Sequence, residues 1–215
     1  MKALIVVDAQ YDFMPASEYE YENKQGGALA VKGGDEIIPV INDLLKRFNL
    51  VIFTKDWHPE KMEAFASPKE GKQPFEKYTN SKGKEDTLWP VHCVQNTKGA
   101  DLHGDIDLGL IKGDFYIFKK GMKEKEHPYS GFGAEELEEF LKEKEVHQVF
   151  VCGLALDFCV KDTALDAAKK GFNTVVVLDG TRAISGDGVK QTMEEFLDNN
   201  IKVIESWELP LFNLM

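Results

Sequence analysis

Six short, nearly uninterrupted apolar runs recur along this chain, at residues 3–7, 50–54, 115–118, 149–151, 174–178 and 201–204, separated by stretches with helical spacing. A strand with one face in water alternates apolar and polar residues, whereas a strand covered on both faces reads as a continuous apolar run. The pattern predicts an α/β fold: a three-layer sandwich whose mostly parallel, about six-stranded central sheet carries helices on both faces. Ile37, Ile41, Leu44, Leu45 and Phe48 mark one helix, with Pro39 in its first turn, and Leu137, Phe140 and Leu141 mark another. A third is expected over 159–170, where Val160, Ala164, Leu165 and Ala168 form a stripe and Gly171 supplies the stop, and a fourth over about 189–199.

With 215 residues, 1–215 reads as a single domain. Hydrophobic residues at 43% and charged residues at 29% are ordinary globular proportions and argue against a disordered chain. The 37 acidic residues against 26 Lys and Arg give a net charge of -11, which disfavours a nucleic-acid partner because phosphate binding needs clustered cations. No apolar run approaches the roughly 20 residues of a bilayer span, and neither a signal peptide nor an anchor is read at the start. Cys93, Cys152 and Cys159 make an odd set without paired short spacings, so a disulfide framework and a zinc knuckle are both disfavoured and a cytoplasmic location is expected.

Residues just beyond the carboxyl ends of parallel strands are where ligands collect. Asp8 follows the first run, Asp56-Trp57-His58 the second, Lys119-Lys120-Gly121 the third and Gly153 to Cys159 the fourth. Cys159 falls at the expected start of the third helix, where the macrodipole and free amides favour a thiolate and can hold an oxyanion. Two roles are open to it on position alone: nucleophile, or small buried hydrophobe. Cys152, inside a strand, reads as structural. Asp8 can serve as proton acceptor and donor, or as a turn residue; Lys120 can place positive charge beside both groups, or lie on the surface as Lys119 does. Asp56, His58 and His92 combine one carboxylate with two imidazoles, a set suited to Zn, Fe or Mn with open positions. Residues 15–34 and 57–114 lack periodicity and are long for connections, which marks them as functional.

An ordered series of segments then carries a resemblance. It comprises Ala3-Leu4-Ile5-Val6-Val7-Asp8-Ala9-Gln10-Tyr11-Asp12-Phe13, Gly27-Ala28-Leu29-Ala30-Val31 with Gly33-Gly34, Lys55-Asp56-Trp57-His58-Pro59 and Phe65-Ala66-Ser67. Leu88-Trp89-Pro90-Val91-His92-Cys93-Val94-Gln95, Lys120-Gly121, Tyr129-Ser130-Gly131-Phe132 and Gly153-Leu154-Ala155-Leu156-Asp157-Phe158-Cys159-Val160 complete it. Over nearly its whole length the chain resembles the nicotinamidase branch of the isochorismatase-like cysteine hydrolases. The resemblance implies hydrolysis of nicotinamide to nicotinate and ammonia in NAD salvage, through a cysteine thioester. It implies a catalytic set of Asp8, Lys120 and Cys159, an oxyanion hole from the amides of Ala155 and Cys159, and a cis peptide before Ala155. It further implies a substrate ring near Phe13, Trp89 and Tyr129, and one divalent metal ion, zinc before iron or manganese, on Asp56, His58 and His92. Relatives are often dimers or larger, which leaves a homo-oligomer open.

The chain departs from the family at three places. Met62 stands where many relatives carry a further histidine ligand, so Glu63 or water is left to fill that role. Leu156 replaces a usual threonine, and the stretch 17–25 is longer than typical. Two other readings remain beside nicotinamide hydrolysis: an amidase for another small carboxamide or ureido compound, and a non-catalytic small-molecule binding protein of the same fold.

Overall fold

A computed structural model of the chain describes residues 1–15, 26–67, 69 and 71–209, so the long stretch 17–25 lies outside the described residues. Its main sheet holds six strands: β1 (Lys2–Val7), β2 (Leu50–Asp56), β5 (Asp114–Lys120), β6 (Gln148–Leu154), β7 (Asn173–Arg182) and β8 (Lys202–Ile204). They lie in the order β5-β2-β1-β6-β7-β8 and every neighbouring pair is parallel. The expected three-layer α/β sandwich is the observed one.

Strand pleating explains why the apolar runs are uninterrupted. Leu4 and Val6 of β1, Val51 and Phe53 of β2, and Phe150 and Cys152 of β6 point into one core. Ala3, Ile5 and Val7, Leu50 and Ile52, and Val149 and Val151 point into the other. Alternate residues thus serve opposite layers, and each fully buried Ile, Leu, Val or Phe contributes on the order of 1.5 to 3 kcal/mol.

The two layers differ in make-up. Helices α2 (Leu137–Glu143), α3 (Lys161–Lys169) and α4 (Gly186–Asp198) cover the second core through Leu137, Leu141, Ala164, Leu165 and Phe196. The first core is covered by α1 (Ile38–Leu45) through Ile38, Ile41, Leu44 and Leu45, with Pro39 in the first turn where its missing N–H costs nothing. The remainder of that layer is the aperiodic segment 57–114, which buries Met62, Ala64, Phe65, Trp89, Cys93, Ala100 and Ile106. Apart from a small antiparallel pair, β3 (Lys77–Thr79) and β4 (Glu85–Thr87), and two single 3-10 turns, Lys98–Ala100 and Leu108–Leu110, it runs as turns and isolated bridges.

Two expectations are corrected. The run 115–118 is not covered on both faces: β5 is an edge strand, Phe115 and Ile117 are exposed, and only Tyr116 and Phe118 pack inward, against Phe140. The third helix does not start at Cys159; residues Leu156–Val160 form a wider π-helical turn, closed by Val160 N donating to Ala155 O at 3.1 Å, and α3 follows at Lys161.

Candidate active site

Because β5, β2, β1 and β6 run the same way, their carboxyl ends share one rim. Asp56 and Lys120 end neighbouring strands and sit opposite each other in the β2–β5 register, while Val7 sits opposite Gly153 across β1–β6. Chain order reverses direction between β1 and β6, which is where a crevice opens in such sheets. Asp8 stands at that point with a left-handed backbone (φ 46°), an unusual state for a non-glycine residue.

Three side chains from distant parts of the sequence meet there. Lys120 Nζ lies 3.0 Å from Asp8 Oδ2 and 2.5 Å from Asp56 Oδ1, and donates to Cys159 Sγ at 3.6 Å. Thr54 Oγ1 donates to the second Asp8 oxygen at 2.7 Å. Asp8, Lys120 and Cys159 are all buried, so their charges interact with little screening. Burial opposes the Lys120 charge, but Asp56 and Asp8 outweigh it and hold the ammonium well above its ordinary range. Burial raises the Asp8 carboxyl in spite of Lys120. Burial also pushes the Cys159 thiol well above its usual value; Lys120 pulls it down, while Asp8 and Asp56 push it further up. Burial thus opposes the thiolate that a helix terminus favours, the Lys120 ammonium at 3.6 Å supports it, and a carboxyl stands close by to take the proton.

Asp56 faces a second group. Its Oδ2 is 3.4 Å from His58 Nε2 and 3.9 Å from His92 Nε2. His58 Nδ1 donates to Gly121 O at 3.0 Å and His92 Nδ1 to Pro90 O at 2.7 Å, so in the neutral tautomer these bonds select, each Nε2 on the Asp56 side has a lone pair to offer a metal. His58 Nε2 is buried without a hydrogen-bond partner. Burial alone would raise the Asp56 carboxyl, but the Lys120 ammonium beside it keeps it well below the usual range, hence ionised. His92 is driven down to about 4, chiefly by burial and then by His58. One ionised carboxylate and two imidazoles, one of them with an orphaned buried nitrogen, fit a divalent cation. Glu63 does not take part: its carboxylate accepts from Ser81 N at 2.8 Å and Ser81 Oγ at 3.0 Å, and Met62 is buried in the core.

Phe13, Trp89, Tyr129, Phe158 and Ala155 line a hollow of about 20 Å³ bounded by Asp56, His92 and Cys159. Trp89 Nε1 donates to Tyr129 Oη at 3.0 Å, and Tyr129 Oη donates to Asp86 at 3.1 Å. The Leu154–Ala155 peptide is cis. Phe158 N and Val160 N both donate to Ala155 O, at 3.1 Å each, and Asp157 accepts from Ile184 N and Ser185 N, which ties this turn to the start of α4.

A family model described as the isochorismatase domain matches residues 2–208. The chain belongs to the isochorismatase family. Within it, the chain is 39% identical over 211 residues to the nicotinamidase of Acinetobacter baylyi, covering 95% of this chain and 92% of that protein. Its structure resembles the yeast nicotinamidase bound to the inhibitor nicotinaldehyde, with TM-score 0.83, 34% identity and coverage of 95% and 100%. It also resembles the Pyrococcus horikoshii pyrazinamidase in complex with zinc, with TM-score 0.72, 33% identity and coverage of 95% and 98%.

Every site residue expected from the sequence lies in this one region of the isochorismatase fold, apart from Lys119, read there as a surface residue, which stacks on Trp57 at 3.9 Å. Four neighbours were not anticipated. Thr54 and Phe158 lie inside named segments, but their roles depend on contacts with distant parts of the chain, Asp8 for Thr54 and Trp89 for Phe158. Gln10 clamps the Asp56 backbone, donating to its carbonyl and accepting from its amide, both at 2.8 Å. His127 joins His58 and His92 in a group whose ligand atoms all lie within 4.8 Å of one another; its place two residues before Tyr129 was the available signal.

Proposed function

We propose that this isochorismatase-family chain hydrolyses nicotinamide to nicotinate and ammonia, in NAD salvage, with Cys159 as the nucleophile. The observation that carries the reading is the contact of one thiol, one carboxyl and one ammonium in a crevice walled by aromatic rings. Asp8 accepts the Cys159 proton, and Lys120, paired with Asp8 and bonded to the sulfur, offsets the negative charge as it forms. The sulfur adds to the carboxamide carbon while the amides of Ala155 and Cys159 hold the oxyanion. Asp8 returns the proton to the nitrogen, the C–N bond breaks, ammonia leaves and a thioester remains. Water, deprotonated by Asp8, then cleaves the thioester to nicotinate and restores the thiol.

Phe13, Trp89 and Tyr129 enclose the ring. Asp56, His58 and His92 hold the divalent ion, zinc before iron or manganese, which when bound supplies a Lewis-acid seat for a ring nitrogen. Pyrazinamide carries a nitrogen in the same position relative to its carboxamide and is accepted as well. The relatives named nicotinamidase and pyrazinamidase support this choice over other small carboxamides. All three cysteines are free, which supports a cytoplasmic setting; among the described residues no helix is long and apolar enough to cross a membrane.

Ammonia release from nicotinamide tests the proposal. Cys159→Ala is expected to lose roughly 10⁴-fold or more in kcat with little change in unfolding midpoint, since a buried sulfur is replaced by a small apolar group. Turnover within tenfold of the parent enzyme would reject the nucleophile.

A further inference from the structure

We propose that His127 is a fourth protein ligand of the divalent cation, making the set Asp56, His58, His92 and His127. The inference deepens the metal part of the proposed function and rests on it. His127 reaches the site from the segment between β5 and α2, far in sequence from the other three. Its ring centroid is 5.1 Å from that of His58 and 6.3 Å from that of His92. The ligand atoms of the three imidazoles lie within 4.8 Å of one another. Two nitrogens bound to one ion at about 2.1 Å are no more than about 4.2 Å apart, so the widest pair need draw in only modestly.

Hydrogen bonding points the same way. The His127 residue is half-buried, but its Nδ1 is shielded from solvent and has no hydrogen-bond partner, as is true of His58 Nε2. Two orphaned imidazole nitrogens in one cluster are costly unless something takes their lone pairs, and a cation takes both. Neither candidate offered by the sequence competes for the role, because Met62 is packed in the core and Glu63 is bonded to Ser81. His127 also stacks edge-on to Tyr129, at 5.0 Å between centroids, so the ligand is held by a residue of the ring-binding wall. With four protein ligands, a ring nitrogen needs a fifth position, which favours ions that accept five or six donors.

Metal affinity and ligand count decide the matter without reference to turnover. Zn²⁺ competition against a chromophoric chelator is expected to show His127→Gln binding at least about tenfold more weakly than the parent protein, while His147→Gln, at an exposed histidine, binds as the parent does. On the unmodified protein, ¹⁵N spectra of the histidine rings during Zn²⁺ titration are expected to show three rings acquiring metal-bound shifts. Three shifted rings, one of them His127, support the inference even if the variant folds poorly. Parent and His127→Gln binding Zn²⁺ equally, or only two rings shifting, would overturn the inference while leaving the metal reading intact. No uptake of Zn²⁺, Mn²⁺ or Fe²⁺ by the parent protein would overturn both.

Discussion

Among the described residues Lys120 is the one cation bonded to Asp8, Asp56 and Cys159, and its removal leaves two carboxylates facing each other across a buried space. Breaking a buried pair by deleting one member costs about 3 to 5 kcal/mol, because the partner stays desolvated. Lys120→Met, close in length, is expected to lower the urea unfolding free energy of the metal-free protein by about that amount; a loss below 1 kcal/mol would mean that water already reaches the carboxylates. Asp8→Asn separates chemistry from stability. The amide keeps the shape and can still accept from Thr54, yet it takes no proton from sulfur. Ammonia release is expected to fall by about 10²- to 10⁴-fold with the fold retained. A KM effect alone, with kcat preserved, would show that Asp8 binds substrate and does not move protons.

At the level of elements, the site depends on how turns after the strands are held. Gly121, just past β5, has φ 66°, and a Cβ there would lie 2.4 Å from His58 Cε1. Its carbonyl also fixes the His58 tautomer. Gly121→Ala should therefore push the imidazole from its seat and weaken Zn²⁺ binding by about tenfold or more, read by chelator competition, on top of the roughly 1 kcal/mol that a positive φ costs a residue with a Cβ. Unchanged affinity would show that the ring has room to move. The same elements explain what could be read in advance. β1, β2 and β6 were legible because both their faces are covered, and that leaves a mark in composition. β5 was not, since exposure of Phe115 and Ile117 depends on its place at the sheet edge, which a local apolar run does not encode. The segment 57–114 showed no period because it packs as a layer through turns, one residue at a time. Asp8, Asp56, His58, Lys120 and Cys159 stood out because they end or follow apolar strand runs. Thr54, Gln10 and His127 did not, because their partners lie 46 or more residues away or belong to another loop.

On the scale of the whole molecule, folding carries uncharged imidazoles into an interior beside an ionised carboxylate, and this links stability to pH. In the metal-free protein burial drives His92 down to about 4 and His127 well below the ordinary histidine value. An unfolded histidine titrates near 6.5, so between there and about 4 the unfolded chain binds more protons than the native one. Acidification across that window therefore favours unfolding, and each such histidine contributes a slope of about 1.4 kcal/mol per pH unit. The raised carboxyls of Asp8 and Asp162 act in the opposite sense, since they bind protons sooner in the native state, and their effect is greatest toward the acid end. Asp56 is ionised in both states over most of this range and contributes little to the slope. The balance is a loss of about 1 to 2 kcal/mol between pH 6 and pH 5, measured by urea unfolding after chelator treatment. Stability that holds level or rises on acidification would mean that the imidazoles are already charged in the folded chain, and a charged imidazole has no lone pair to offer a metal.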